Sequence, residues 1–210
     1  MRAIRRGSRV TFDAMMMPAR LVRMLTIGTA VMLVACARKP PEHGTLIADP
    51  QPAPPLHLAD AAGRAFDLAA QRGQPAFVYF GYTHCPDACP TTLTDWARAR
   101  ALLGPAGSRV RFLFVSVDPD RDTPEIAARY AKQFDPAFVG LVVPAAQLDG
   151  IKTAWGFAIE HEEMPGMKPD EYGVSHPAGV FFVDSDGKMK FVFAPGSKPE
   201  EIASDLKRLM

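Results

Sequence analysis

The sequence predicts an α/β fold, a mixed central sheet flanked by helices. Short apolar runs alternate with helical patterns along most of the chain, and the alternation closes with a hairpin and a last helix. Between the continuous apolar run Ala76-Phe77-Val78-Tyr79-Phe80 and the first long helical pattern sit two cysteines, Cys85 and Cys89. A hydrophobic fraction of 48% and a charged fraction of 22% are those of an ordinary globular chain. A net charge of +1 offers no footprint for nucleic acid.

The elements follow in order. Leu56 to Leu58 and Arg64 to Leu68 flank Asp60-Ala61-Ala62-Gly63 and read as a hairpin. Ala76 to Phe80, apolar without alternation, reads as a strand buried on both faces. A helix is expected to begin at Pro90, since proline suits a first helical position. Its apolar face would be Leu93, Trp96, Ala97 and Leu103, and Gly104-Pro105 would end it. Val110 to Val117 is the next strand. Thr123-Pro124-Glu125 opens a helix, with Thr123 as N-cap, that runs to about Phe134. Phe138 to Val143 is a short strand, and a helix follows near Ala145 to Trp155. Gly179 to Val183, the turn Asp184-Ser185-Asp186-Gly187 and Met189 to Phe193 make the second hairpin, and Pro199 to Leu209 the last helix. A cysteine pair between a central strand and a helix narrows this pattern to a thioredoxin-like fold.

The N-terminal region is different. Six of the 24 Lys and Arg residues but one of the 23 Asp and Glu precede Cys36, so the remainder is mildly acidic. Arg2, Arg5, Arg6, Arg9, Arg20 and Arg23 lead into the apolar run Leu25 to Ala35. Eleven residues fall short of a roughly 30 Å hydrocarbon core but suit a signal-peptide h-region. Leu33-Val34-Ala35-Cys36 resembles the lipobox of bacterial lipoproteins, which implies cleavage before Cys36 and lipidation of it. The expected organisation is a signal peptide over 1–35, a Pro-rich tether over 36–55 and a folded domain over 56–210. The domain would face the periplasm or exterior, anchored by lipid to a membrane. His43 and His57, in or beside the tether, read as solvated histidines.

In an envelope compartment disulfides persist, so Cys85 and Cys89 would pair with each other, with a partner, or through a metal. Cys89 is expected at or near the helix N-cap, where unpaired backbone N–H groups favour a thiolate. Thioredoxin-type oxidoreductases space their cysteines C-x-x-C; the extra residue here widens the loop. Two thiolates and one imidazole would make a soft three-coordinate site suited to copper, whereas zinc usually takes four ligands. Three histidines are candidates for that imidazole. His84 adjoins Cys85, and neighbours seldom turn inward together; it would instead tune the thiols. His161 lies in the acidic stretch Glu160 to Glu163. His176 precedes an apolar strand whose leading loop packs over the cysteine turn in a thioredoxin-like fold, and it is the best placed. Met164 and Met167 read as loop packing, or as thioether ligands for Cu(I).

The run Tyr79-Phe80-Gly81-Tyr82-Thr83-His84-Cys85-Pro86-Asp87-Ala88-Cys89-Pro90-Thr91-Thr92-Leu93 resembles the signature of the Sco/SenC family of copper-binding assembly proteins. Phe114 to Pro124 resembles a second block of that family, and Tyr172 and His176 match the spacing of its Tyr and metal-binding His. The resemblance implies Cys85, Cys89 and His176 as copper ligands, with Asp87 and Asp118 lining the site. It implies a role in maturing the dinuclear copper centre of cytochrome c oxidase, by copper transfer or by thiol reduction through a reversible Cys85–Cys89 disulfide. The implied partners are the oxidase subunit that carries that centre and an upstream copper donor. Asp118 reads equally well as a solvated carboxylate at a strand end. Ser175 and Pro177, flanking the histidine, depart from the family pattern.

Overall fold

The computed structural model describes residues 42–162 and 172–209. Cys36, Met164 and Met167 lie outside the described residues, as does the expected signal peptide. The strands are β1 (Thr45–Leu46), β2 (His57–Ala59), β3 (Ala65–Asp67), β4 (Ala76–Gly81), β5 (Arg111–Ser116), β6 (Val139–Val142), β7 (Glu160–Glu162), β8 (Gly173–Ser175), β9 (Val180–Val183) and β10 (Met189–Phe193). The helices are α1 (Ala88–Leu103), α2 (Pro124–Phe134), α3 (Ala145–Trp155) and α4 (Pro199–Leu209).

Six strands form one mixed sheet in the order β1-β10-β9-β4-β5-β6. β4, β5 and β6 run parallel, with Tyr79 opposite Phe114 and Phe114 opposite Gly140. β9 pairs antiparallel with β4, β10 with β9 and β1 with β10. β4 is therefore central, and all six of its residues are buried.

Alternation along β4 assigns its side chains to two layers. Phe77 and Tyr79 meet Trp96 of α1 at ring-centroid separations of 5.7 and 6.1 Å. Phe80 points the other way, against Trp155 of α3 at 5.0 Å. Tyr130 of α2 lies on Phe114, and α4 packs on α1, so three helices cover one face and α3 the other. Each of these buried aromatics contributes a few kcal/mol, about 3–5 for a Phe or Trp cut to Ala.

Most expected elements are present, with three differences at their edges. Thr123 caps α2 as expected, its hydroxyl accepting from the Ile126 N–H at 3.3 Å, and Gly104 ends α1 at φ +58°. α1, however, begins two residues before Pro90. A proline in the third position forfeits only an N–H that has no helical partner there, so it does not fix the start. Ala99, rather than Ala97, completes the fully buried stripe. β7 and β8 form a small antiparallel hairpin where only an exposed acidic stretch was expected.

The expected tether is tied down from Glu42 onward. The backbone N–H groups of Glu42, His43 and Gly44 donate to the buried Asp205 carboxylate of α4 at 2.7, 3.0 and 3.0 Å. Arg208 pairs with Glu42, and Thr45–Leu46 then add an edge strand to β10. Proline content alone reads as a tether; the three donors to one carboxylate are a long-range feature that composition does not reveal. Among the described residues no helix is long and apolar enough to cross a membrane.

Candidate metal centre

The centre is built where β4 stops. Its last residue is Gly81, and the chain then turns through Tyr82 to Asp87, the Cys85 N–H donating to the Tyr82 carbonyl at 3.3 Å. Asp122, buried in the loop between β5 and α2, fixes this turn. Its carboxylate accepts from the Thr83 N–H at 2.9 Å, from the Thr83 hydroxyl at 2.5 Å and from the Ser116 hydroxyl. Asp87 occupies the N-cap of α1 without a side-chain cap bond, and Cys89 is the second helical residue rather than the cap.

Cys89 is fully buried and Cys85 half-buried, and both are free thiols. The Cys89 N–H donates to Cys85 Sγ at 3.4 Å, and the Tyr79 hydroxyl to Cys89 Sγ at 3.7 Å. The space for Cys89 Sγ exists because residue 81 has no side chain. A Cβ there would lie 2.7 Å from the sulfur and 3.0 Å from the Phe114 ring.

The fold delivers His176 to this platform on the loop between β8 and β9. Its Nε2 lies 3.7 Å from Cys89 Sγ, and the two sulfurs and the imidazole nitrogen all fall within 4.8 Å of one another. Its Nδ1 is 3.1 Å from the Pro177 carbonyl. A carbonyl only accepts, so this bond puts the proton on Nδ1 and leaves the Nε2 lone pair facing the sulfurs. The ring is wedged edge-on between Tyr79 and Tyr82, each centroid at 5.7 Å. Pro177, which departs from the family pattern, thus still offers the carbonyl that orients the ring.

The electrostatics of the two sulfurs are opposed. A hydrogen bond from Cys89 pulls the Cys85 thiol down to about 3, helped against burial by the contact with His176 and by the backbone N–H groups of Cys89 and Asp87. The same sulfur–sulfur bond, with burial, pushes Cys89 well above the ordinary thiol range. Cys85 is the resident thiolate and Cys89 its donor. Alkylation of the reduced, metal-free domain by iodoacetamide checks this. An ordinary thiol loses thiolate about tenfold per unit below about pH 8.5. Cys85 should instead react at a nearly level rate from about pH 8 to about pH 5, and a tenfold fall per unit across that range would contradict it.

The other sequence candidates are not part of the group of two sulfurs and an imidazole. Asp118 is buried, not solvated; it accepts from Arg121 Nε at 2.6 Å and from the Tyr172 hydroxyl at 2.8 Å. Asp87 is exposed, and its part is its backbone N–H toward Cys85. His84 turns to Thr83 and Asp122, Nδ1 at 3.3 and 3.7 Å, and is not in the sulfur group. His161 stacks on Tyr172 at 4.5 Å. His43 binds through its backbone to Asp205, and His57 contacts Asp67 at 3.4 Å. Sequence reasoning missed Tyr79, Tyr82, Arg121 and Asp122 as parts of the surroundings. Asp122 and Arg121 lie in the second family-like block, which was the available signal.

A family model described as SCO1/SenC matches residues 47–210. The SCO2-like protein of Rickettsia felis is 32% identical over 153 residues, 72% of this chain and 74% of that one. Bradyrhizobium japonicum ScoI, solved with copper bound, is 34% identical with a TM-score of 0.67, over 76% of this chain and 100% of that one. The apo Sco1 protein of Thermus thermophilus, solved in solution, is also 34% identical, with a TM-score of 0.70 over 80% of this chain and 99% of that one.

Proposed function

Because this chain belongs to the SCO1/SenC family, we propose that its domain carries one copper ion on Cys85, Cys89 and His176 and delivers it in maturation of the dinuclear copper centre of cytochrome c oxidase. The observation that carries this reading is the convergence of two sulfurs and an imidazole nitrogen within 4.8 Å. The donor set suits the cargo. Thiolates select Cu(I), and imidazole serves Cu(II) as well, so one site holds both oxidation states. Among the described residues no fourth His, Cys, Asp or Glu joins the group, which favours three-coordinate copper over zinc. A half-buried Cys85 beside a buried Cys89 leaves one sulfur open to a donor or a recipient. In this reading Cys36 is the lipid attachment point and the domain works in a bacterial envelope.

His176→Ala tests the assignment. The variant should keep Cu(I) on two sulfurs, lose nitrogen coordination in X-ray absorption, and bind Cu(II) at least about tenfold more weakly. Unchanged coordination and affinity for both ions would remove His176 from the site.

A second reading, reduction of the recipient's cysteines, is favoured by the asymmetry of the pair. Cys85 as thiolate would attack a recipient disulfide, releasing one recipient thiolate. Cys89 would then resolve the mixed disulfide, giving up its proton to the second recipient sulfur. The recipient gains two electrons, and the Cys85–Cys89 pair is left oxidised. That activity needs neither His176 nor copper, so the same variant separates the two readings.

A further inference from the structure

We propose that Arg121 is a positioning residue for the centre: it pins the β7–β8 hairpin, and through it His176, against the cysteine turn. The proposal rests on the reading of Cys85, Cys89 and His176 as the copper site and adds to it what sets the third ligand.

The hairpin needs such a pin. β7 and β8 pair only with each other, and among the described residues no backbone hydrogen bond ties them to the six-stranded sheet. His176 follows the last residue of β8 directly, so the imidazole is placed wherever the hairpin is placed.

Arg121 makes the connection from the loop between β5 and α2. Its Nε donates to Asp118 at 2.6 Å and its Nη1 to the Tyr172 carbonyl at 3.0 Å, one residue before β8. Its guanidinium carbon lies 3.5 Å over the Tyr172 ring and 5.6 Å from the Tyr82 ring. The Tyr172 hydroxyl closes the loop by donating to the second Asp118 oxygen at 2.8 Å. One buried carboxylate therefore binds both the arginine and the hairpin. Tyr82 links the assembly to the site, because its ring is one of the two that wedge His176, and its hydroxyl meets the Val174 backbone. Planar guanidinium geometry lets one side chain serve a carboxylate, a carbonyl and a ring face together, which a lysine cannot reproduce.

A purely structural ion pair would act on the whole fold, whereas a positioning residue acts on copper through His176. A double-mutant cycle separates these. Arg121→Met should weaken Cu(II) binding by about 10-fold or more, the size of effect seen when residues that orient a metal ligand are removed. Cu(I), held by the two sulfurs, should change by less than about threefold. In a His176→Ala background the same substitution should add nothing. A readout without metal is hydrogen exchange: Gly173 to Ser175 should exchange faster in Arg121→Met while β4 and β5 stay protected. If Arg121→Met fails to fold, Tyr172→Phe, which removes one hydroxyl and keeps the ring, carries the same comparisons with a smaller factor. Equal copper losses with and without His176, or no change in either readout, would overturn the proposal. If wild-type protein binds no copper, the copper reading fails, and the exchange experiment still decides whether Arg121 holds the hairpin.

Discussion

Cys89→Ala should abolish tight copper binding and, in the same variant, return Cys85 to an ordinary thiol. Both effects trace to one sulfur. Removing residues that merely orient a ligand costs about 10–100-fold in metal affinity, so removing a ligand should cost at least the upper end of that range. The loss should hold for both oxidation states, unlike the selective loss expected for His176→Ala. Cys89 is also the main cause of the depressed Cys85 value. Without it, the alkylation rate of Cys85 should regain the tenfold fall per unit below about pH 8.5. Alanine is the informative replacement, because serine would still donate to Cys85. The fold should survive at a cost of about 1 kcal/mol for the small void. Calorimetric copper titration and pH-resolved alkylation check the two halves. A variant that keeps the level pH profile would mean that His176 and the backbone N–H groups of the helix N-terminus, not Cys89, hold the Cys85 thiolate.

Gly81→Ala should damage the centre from beneath. The new methyl would stand 2.7 Å from Cys89 Sγ, 3.0 Å from Phe114 and 3.3 Å from Tyr79, all fully buried. None of the three is the free end of a flexible chain, so the sulfur or the strand end must move. Overpacking of this kind costs about 1–3 kcal/mol. In a domain of this size that lowers Tm by roughly 2–4 °C per kcal/mol. A displaced Cys89 sulfur should also cost copper affinity, about tenfold or more by comparison with disturbed ligand supports. Gly150→Ala is the matched control. It lies in α3 with nothing within 4 Å of its added methyl, so the substitution should stabilise slightly and leave copper binding unchanged. Equal behaviour of the two variants would show that the missing side chain at position 81 is not what makes room for the sulfur.

Much of the architecture was legible because its signals are local. Apolar runs gave β4, β5, β6, β9 and β10, Thr123-Pro124 gave the start of α2, and Gly104 the end of α1. His176 was legible as well, as the histidine just ahead of an apolar strand whose leading loop packs over the cysteine turn in a thioredoxin-like fold. What escaped depends on residues far apart in sequence. β7 is Glu-His-Glu, polar on both faces and without the alternation that marks a strand, and its pairing comes from β8. Asp118 read equally well as a site carboxylate and as a solvated one, because its partner hydroxyl, on Tyr172, is 54 residues away. Asp205 carries no local signal at all, because its three donors lie more than 160 residues upstream.

That carboxylate also sets a length scale. With the chain held to α4 at Glu42, only five residues lie between it and Cys36, and the six Cα-to-Cα steps can reach at most about 20 Å. If Cys36 carries lipid, as proposed, the domain is leashed and works in a thin layer over the lipid surface. A recipient whose copper-accepting cysteines sit inside that layer is within reach of the site. One whose cysteines stand farther out is never met at all. Asp205→Ala would lengthen the leash by freeing Glu42 to Gly44, widening the layer while leaving the copper ligands untouched.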